Sequence, residues 1–219
     1  MNLSQDFNKY LESRKINSVY LKTYKQKSTQ FFDDPGMIYP NDVFNRLLKE
    51  RIILLSGEIE THQCEMIKSN LLYLESLDSS EDIKIYINSP GGSVYDGLGL
   101  LDIMEYIKPE IETINTGLAA SMAAIILCSG TKGKRKSLKR SRIMIHQPMS
   151  GYGGWAQASD MEIEAREIND LKKQLYEIIS ENTGQVYDKV HKDGDRDYWM
   201  SAQDAKKYGM IDEILTKRK

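Results

Sequence analysis

Short apolar runs that stop at a glycine or a turn, each followed by a helical stripe, recur along the chain, and this alternation restricts it to a layered α/β fold. Ile83-Lys84-Ile85-Tyr86-Ile87-Asn88 reads as a strand, and Ser89-Pro90-Gly91-Gly92 breaks it. Leu98, Leu101, Met104 and Ile107 then mark one stripe of a helix over 94–107, which Pro109 ends. The unit repeats with a strand over 111–116, a turn at Gly117 and a helix of small apolar residues over 119–128. A further strand over 141–145 ends at His146, and a long helix over 162–180 turns Ile168, Leu171, Leu175 and Ile178 inward. Upstream, residues 51–57 read as a buried strand and 61–77 as an amphipathic helix, with Thr61 as its cap and Met66, Leu71, Leu74 and Leu77 inward. Strands joined through helices pair in parallel, so the expected sheet is largely parallel.

A chain of 219 residues suits one core, assigned to residues 41–219. Residues 1–40 have weak periodicity and end in the turn-rich Asp33-Asp34-Pro35-Gly36, the pattern of an extension that is mobile or processed. With 30 Lys and Arg against 32 Asp and Glu, the net charge of −2 provides no field for gathering nucleic acid or anionic lipid. No run approaches the roughly 20 apolar residues of a membrane span. The two cysteines, Cys64 and Cys128, have no CxxC partner, which argues against a zinc site or a disulfide framework and for a cytoplasmic protein. The one basic run, from Lys132 to Arg140, lacks interleaved aromatics and reads as a solvated hairpin.

In parallel α/β sheets the ligand site forms beyond the carboxyl ends of the strands. Three such ends carry suggestive chemistry. Ser121 stands among alanines at a strand-to-helix turn, where a hydroxyl becomes a nucleophile if a base takes its proton. The plain alternative is a small residue chosen for close packing. His146 ends an apolar strand and can take and return that proton near neutral pH; His62 and His191 sit in polar surroundings and read as surface residues. A carboxylate is needed to orient the imidazole, and Asp193, Asp195 and Asp197 are all candidates that spacing does not separate. Gly91-Gly92 lets a substrate backbone come close, and the N–H groups of Gly92 and Met122 could hold an oxyanion.

Taken together, Tyr86-Ile87-Asn88-Ser89-Pro90-Gly91-Gly92, Ala119-Ala120-Ser121-Met122, Met144-Ile145-His146-Gln147-Pro148 and Asp195-Arg196-Asp197, with Arg46-Leu47-Leu48-Lys49-Glu50-Arg51-Ile52 before them and Met200-Ser201-Ala202 and Tyr208-Gly209 after, resemble the ClpP family. These are the proteolytic subunits of ATP-dependent Clp proteases, and the likeness runs from about Val43 to Leu215. It implies a ClpP/crotonase-like spiral of repeated β-β-α units with a long protruding handle helix, the handle covering about 150–182. It also implies a serine endopeptidase with Ser121 as nucleophile, His146 as base, Asp197 as the acid, and Gly92 and Met122 as oxyanion donors. Asp195 and Arg196 match a ring-to-ring contact pair, and Tyr86 matches an apical docking cleft. The implied assembly is a homo-oligomer of two stacked seven-membered rings enclosing a chamber, fed with unfolded polypeptide by an AAA+ unfoldase. No cofactor is expected on this chain, because ATP belongs to the unfoldase and no Walker A motif is present. Gly151-Tyr152-Gly153-Gly154-Trp155 matches the segment that holds the substrate strand, in a loop slightly longer than the family's, and residues 1–40 do not resemble the family's short axial loop. Two other readings compete. A crotonase-type CoA-thioester enzyme would leave Ser121, His146 and Asp197 unexplained, and a non-catalytic ring subunit would be expected to lack members of that set.

Overall fold

The computed structural model describes residues 40–149 and 157–217. The extension before residue 40 and the segment 151–155, expected to hold substrate, lie outside the described residues. The chain divides into two units, residues 1–46 and 47–219, and helix α1 (Pro40–Lys49) spans the division.

The sheet begins with β1 (Ile52–Ser56), β2 (Ile83–Ser89) and β3 (Ile111–Ala120), paired in parallel in that order. In β2, Ile83, Ile85 and Ile87 are fully buried while Lys84 and Tyr86 alternate onto the half-buried face, so one side of the strand carries the core. β1 follows the same alternation, so it is buried on one face only. Strand β3 is ten residues long and changes partner partway. Its first half pairs with β4 (Arg135–Leu138) through residues 113–115, and its second half with β5 (Arg142–Ile145) through residues 118–120. The buried Asn115 pins this fork: its Nδ2 donates to the Arg142 carbonyl at 3.0 Å and its Oδ1 accepts from Gly117 N–H at 3.1 Å. Strand β6 (Tyr198–Ser201) runs antiparallel to β5, and β7 (Glu213–Leu215) extends the sheet beyond β4.

Helices α2 (Thr61–Leu77), α3 (Val94–Tyr106) and α4 (Met122–Cys128) connect these strands. Helix α2 buries Cys64, Ile67, Leu71 and Leu74, a row spaced by three and four residues; Met66 and Leu77, expected inward, are exposed on its flanks. Thr61 is not the cap either: its hydroxyl donates to the Asp96 carboxylate at 3.1 Å. The other end of α2 is held by Arg51, whose buried guanidinium donates to the carbonyls of Leu74, Asp78, Glu81 and Asp82. A cation there satisfies carbonyls that the helix leaves open.

Two further expectations are corrected. The helix read over 119–128 starts only at Met122, because Ala119 and Ala120 are strand residues paired with Ile143 and Met144. The basic run is not a solvated hairpin, since Arg135–Leu138 is a parallel strand and Arg135 is buried. The Arg135 guanidinium grips Asp212 through two bonds, 2.9 Å and 2.6 Å, and donates also to the carbonyls of Cys128 and Asn182.

The long helix α5 covers Ala158–Thr183 and buries Leu175, Tyr176 and Ile179 at its carboxyl-terminal end, while Ile168, Leu171 and Ile178 are only half-buried. Most of its first half is exposed, as a protruding helix requires. Helices α6 (Tyr187–Asp193) and α7 (Ala202–Tyr208) complete the described residues. Helix α7 opens on a capping box in which Ser201 and Asp204 satisfy each other's backbone N–H. No helix of the described residues is long and apolar enough to cross a membrane.

Candidate active site

Ser121 occupies the one-residue turn between β3 and α4, with φ 54° and ψ −128°. A side chain in this region is strained, and such strain persists only where surrounding structure holds it. Here the Ser121 N–H donates to the Met144 carbonyl on β5 at 2.9 Å, and the Ser121 carbonyl accepts from Ala124 N–H at 3.0 Å. The backbone is thus fixed from both sides, and the hydroxyl projects beyond the strand end.

His146 follows the last residue of β5. Its Nε2 lies 2.9 Å from Ser121 Oγ and its Nδ1 lies 3.1 Å from Asp197 Oδ1. The imidazole is 13% exposed, while the Asp197 carboxylate is 59% exposed. A tautomer with the proton on Nδ1 lets the ring donate to the carboxylate and accept from the serine hydroxyl at the same time.

The glycine turn closes on the same point. Gly91 has φ 95°, and a Cβ there would stand 2.6 Å from Ser121 Cβ, 2.7 Å from the Ala120 carbonyl and 3.1 Å from Met122 N. Only a residue without a side chain permits this approach. The turn is held by Ser89, which accepts from Gly91 N–H at 3.1 Å, and by Ile59, which donates to the Gly91 carbonyl and accepts from Ser93 N–H. Those bonds pass over Gly92 N–H. Met122 opens α4, where the first N–H groups of a helix have no partner within it. The Met122 side chain is buried against Gly97 of α3, where an added Cβ would meet its Cγ at 2.3 Å.

Of the residues singled out in the sequence, Ser121, His146 and Asp197 are joined by hydrogen bonds, and Gly91 and Met122 adjoin the serine. Asp195 and Arg196 are exposed in the turn before Asp197. Asp193, one of the three acids left open by spacing, pairs instead with Lys189 at 2.5 Å. His62 and His191 are exposed, the latter against the rings of Tyr176 and Tyr187. The supporting roles of Ser89, Asn115 and Met144 are not assigned from the sequence: Ser89 holds the glycine turn two residues on, while Asn115 and Met144 act through bonds to residues more than twenty positions away, which no local pattern announces. Burial pushes the Cys64 thiol up to about 11 and Cys128 up to about 12, so neither competes as a nucleophile.

A hydroxyl, an imidazole and a carboxylate linked in this order at the ends of neighbouring strands define the class: a serine hydrolase. The family is narrower still, for the sequence pattern of the Clp protease family matches residues 36–218, and the chain belongs to that family. It is 57% identical over 177 residues to the ATP-dependent Clp protease proteolytic subunit of Bacteroides fragilis, covering 81% of this chain and 84% of that protein. The protein of the same description from Porphyromonas gingivalis is 55% identical over 178 residues, with 81% and 79% covered. The ATP-dependent Clp protease proteolytic subunit 2 of a Synechococcus strain is 52% identical over 177 residues, with 81% and 89% covered. The chain is therefore a serine endopeptidase with a parallel-rich α/β fold.

Proposed function

We propose that Ser121, His146 and Asp197 hydrolyse the peptide bonds of unfolded polypeptides, with the N–H groups of Gly92 and Met122 as the oxyanion hole. The observation that carries this reading is the pair of bonds made by one imidazole, to Ser121 on one nitrogen and to Asp197 on the other. Ser121 Oγ attacks the carbonyl carbon while its proton passes to His146 Nε2, and the carbonyl electron pair moves onto oxygen. Each backbone donor that receives this oxyanion is typically worth about 10²–10³ in rate. Collapse of the intermediate breaks the C–N bond, and His146 gives its proton to the leaving amine. Water then attacks the acyl-serine ester, losing a proton to His146, and Ser121 recovers that proton as the acid product departs. Asp197 holds the ring in the required tautomer and stabilises the imidazolium.

The assembly is part of the proposal. The relatives are described as proteolytic subunits of an ATP-dependent protease, and this chain has no Walker A signature, so an AAA+ unfoldase would consume the ATP and deliver the polypeptide. Two stacked seven-membered rings would enclose the serines, with Asp195 and Arg196 at the contact between rings; the exposure of both side chains in the single chain supports this. The residues themselves need no cofactor for the steps above. Two free, buried cysteines fit a cytoplasmic site of action.

A fluorophosphonate probe tests the reading. Ser121 in the wild type should be labelled and Ser121→Ala should not, and short peptides should be cleaved without nucleotide. An assembled ring that stays unlabelled would favour a structural subunit.

A further inference from the structure

Lys172 and Tyr176 stand one helical turn apart on α5; Tyr176 bonds the turn that leads into Asp197 directly, and Lys172 is linked to it through Gln147. Tyr176 is fully buried and donates its hydroxyl to the Gly194 carbonyl at 2.6 Å. The next carbonyl, that of Asp195, accepts from Gln147 Nε2 at 2.8 Å, and Gln147 Oε1 accepts from Lys172 Nζ at 3.1 Å. Gln147 is the residue after His146. The segment carrying the imidazole and the turn carrying the carboxylate are therefore tied twice, once by His146 to Asp197 and once by Gln147 to Asp195.

We infer that Gln147 is a positioning residue for the His146–Asp197 pair, and that the positive charge of Lys172 sets which way its amide faces. A carboxamide has an acceptor end and a donor end of nearly the same shape, and its neighbours choose between the two orientations. The Asp195 carbonyl can only accept, so it requires Nε2. The Lys172 ammonium can only donate, so it requires Oε1. Both demands are met in one orientation alone. The reversed amide would set two acceptors face to face at Asp195 and two donors face to face at Lys172. The ammonium is itself held near the Tyr176 ring, 5.8 Å from its centroid, on the helix that fixes Gly194. Lys172 thus acts on the turn of Asp197 through Gln147, without touching the reacting groups.

The inference rests on the Ser121–His146–Asp197 reading, and its test separates the two. Steady-state hydrolysis of a short fluorogenic peptide is measured for the assembled full-length chain and for Lys172→Arg, Lys172→Met, Lys172→Glu, Gln147→Leu and Asp197→Ala. Lys172→Arg keeps a donor and should retain kcat within about twofold. Lys172→Met should lower kcat, and Lys172→Glu, which favours the reversed amide, should lower it further, by about ten- to a hundredfold, as misplacement by an ångström does. KM should stay within about twofold throughout, since no substrate contact is removed. In a Gln147→Leu background the Lys172 substitutions should have no further effect, because the group they act through is gone. Lys172 is only half-buried, so its series remains informative even where Gln147→Leu does not fold. Wild-type kcat in both Lys172→Met and Lys172→Glu, with Asp197→Ala inactive, would overturn the inference alone. Wild-type kcat in Asp197→Ala would overturn the triad reading and the inference with it.

Discussion

Ile145 and Tyr198 are partners in the antiparallel ladder between β5 and β6, and the residues one step beyond them, His146 and Asp197, meet across its end at 3.1 Å. Parallel strands present their carboxyl ends on one edge of a sheet. Strand β6 runs the other way, so the residue just before it, rather than one just after it, arrives at that edge. The carboxylate reaches the imidazole through this single reversal of direction.

Asp197→Asn tests the orienting role directly. The amide cannot stabilise an imidazolium and favours the wrong tautomer, so kcat for a short peptide should fall on the order of 10²–10⁴-fold with KM within about twofold. Turnover close to wild type would remove Asp197 from the mechanism.

Gly91→Ala forces a methyl group to 2.6 Å from Ser121 Cβ at a backbone φ of 95°. The turn must shift away from the serine. The expected result is a loss of about 10²-fold or more in kcat, with a melting temperature lowered by the equivalent of about 1–3 kcal/mol. Full activity in a folded variant would show that the close approach is dispensable.

Gly97→Ala drives a new Cβ onto the Met122 side chain, 2.3 Å from its Cγ. The Met122 side chain must repack, so stability should drop by about 1–3 kcal/mol, and kcat should fall to the extent that the shift reaches the Met122 N–H. Shortening the neighbour in the pair Gly97→Ala, Met122→Ala should recover part of that stability in a calorimetric melt; a purely additive pair would contradict the packing account.

Asp212 links acid stability to β4 and β7. Burial of its carboxyl works to raise the pKa, but the bonds from Arg135 and from the Arg135 and Gly133 N–H groups outweigh it, and the net shift is downward from 3.8. A depressed carboxylate stabilises the fold above its unfolded pKa and loses that contribution as pH falls through the folded value. Asp212→Asn should therefore cost about 3 kcal/mol at neutral pH, since it leaves a buried guanidinium without its anion. The gap between the two melting curves should narrow only below about pH 4; a gap constant down to pH 3 would break the link to this ion pair.

The alternation of strands and helices was legible because it rests on periodicity within each segment, and the candidate site was legible because its residue types stand together in short motifs. Long-range pairing was not legible. Ala119 and Ala120 sit in a run of small residues that favours a helix as much as a strand, and their ladder partners, Ser89 on β2 and Ile143 and Met144 on β5, draw them into β3. Arg135 looks like any member of a basic run until Asp212, 77 residues away, meets it. On α2, Met66 and Leu77 are as apolar as the buried row, so composition at helical spacing overstated the inward face. Asp197 was separated from Asp193 and Asp195 by resemblance alone; the geometry that sets it apart is the pairing of β5 with β6.

The fork at Asn115 gives the two halves of β3 different neighbours. Its early residues are clamped between β2 and β4, whereas the final three hold β5, and β5 alone holds β6 in the ladder. His146 and Asp197 therefore share one strand pair, joined to β3 through Leu118, Ala119 and Ala120 and rooted in the core by Ile143, Ile145 and Met200. Base and acid thus travel as one body, and the bond from Ser121 N–H to the Met144 carbonyl ties the nucleophile to that same body, so the three groups keep their spacing as long as the core beneath β5 holds.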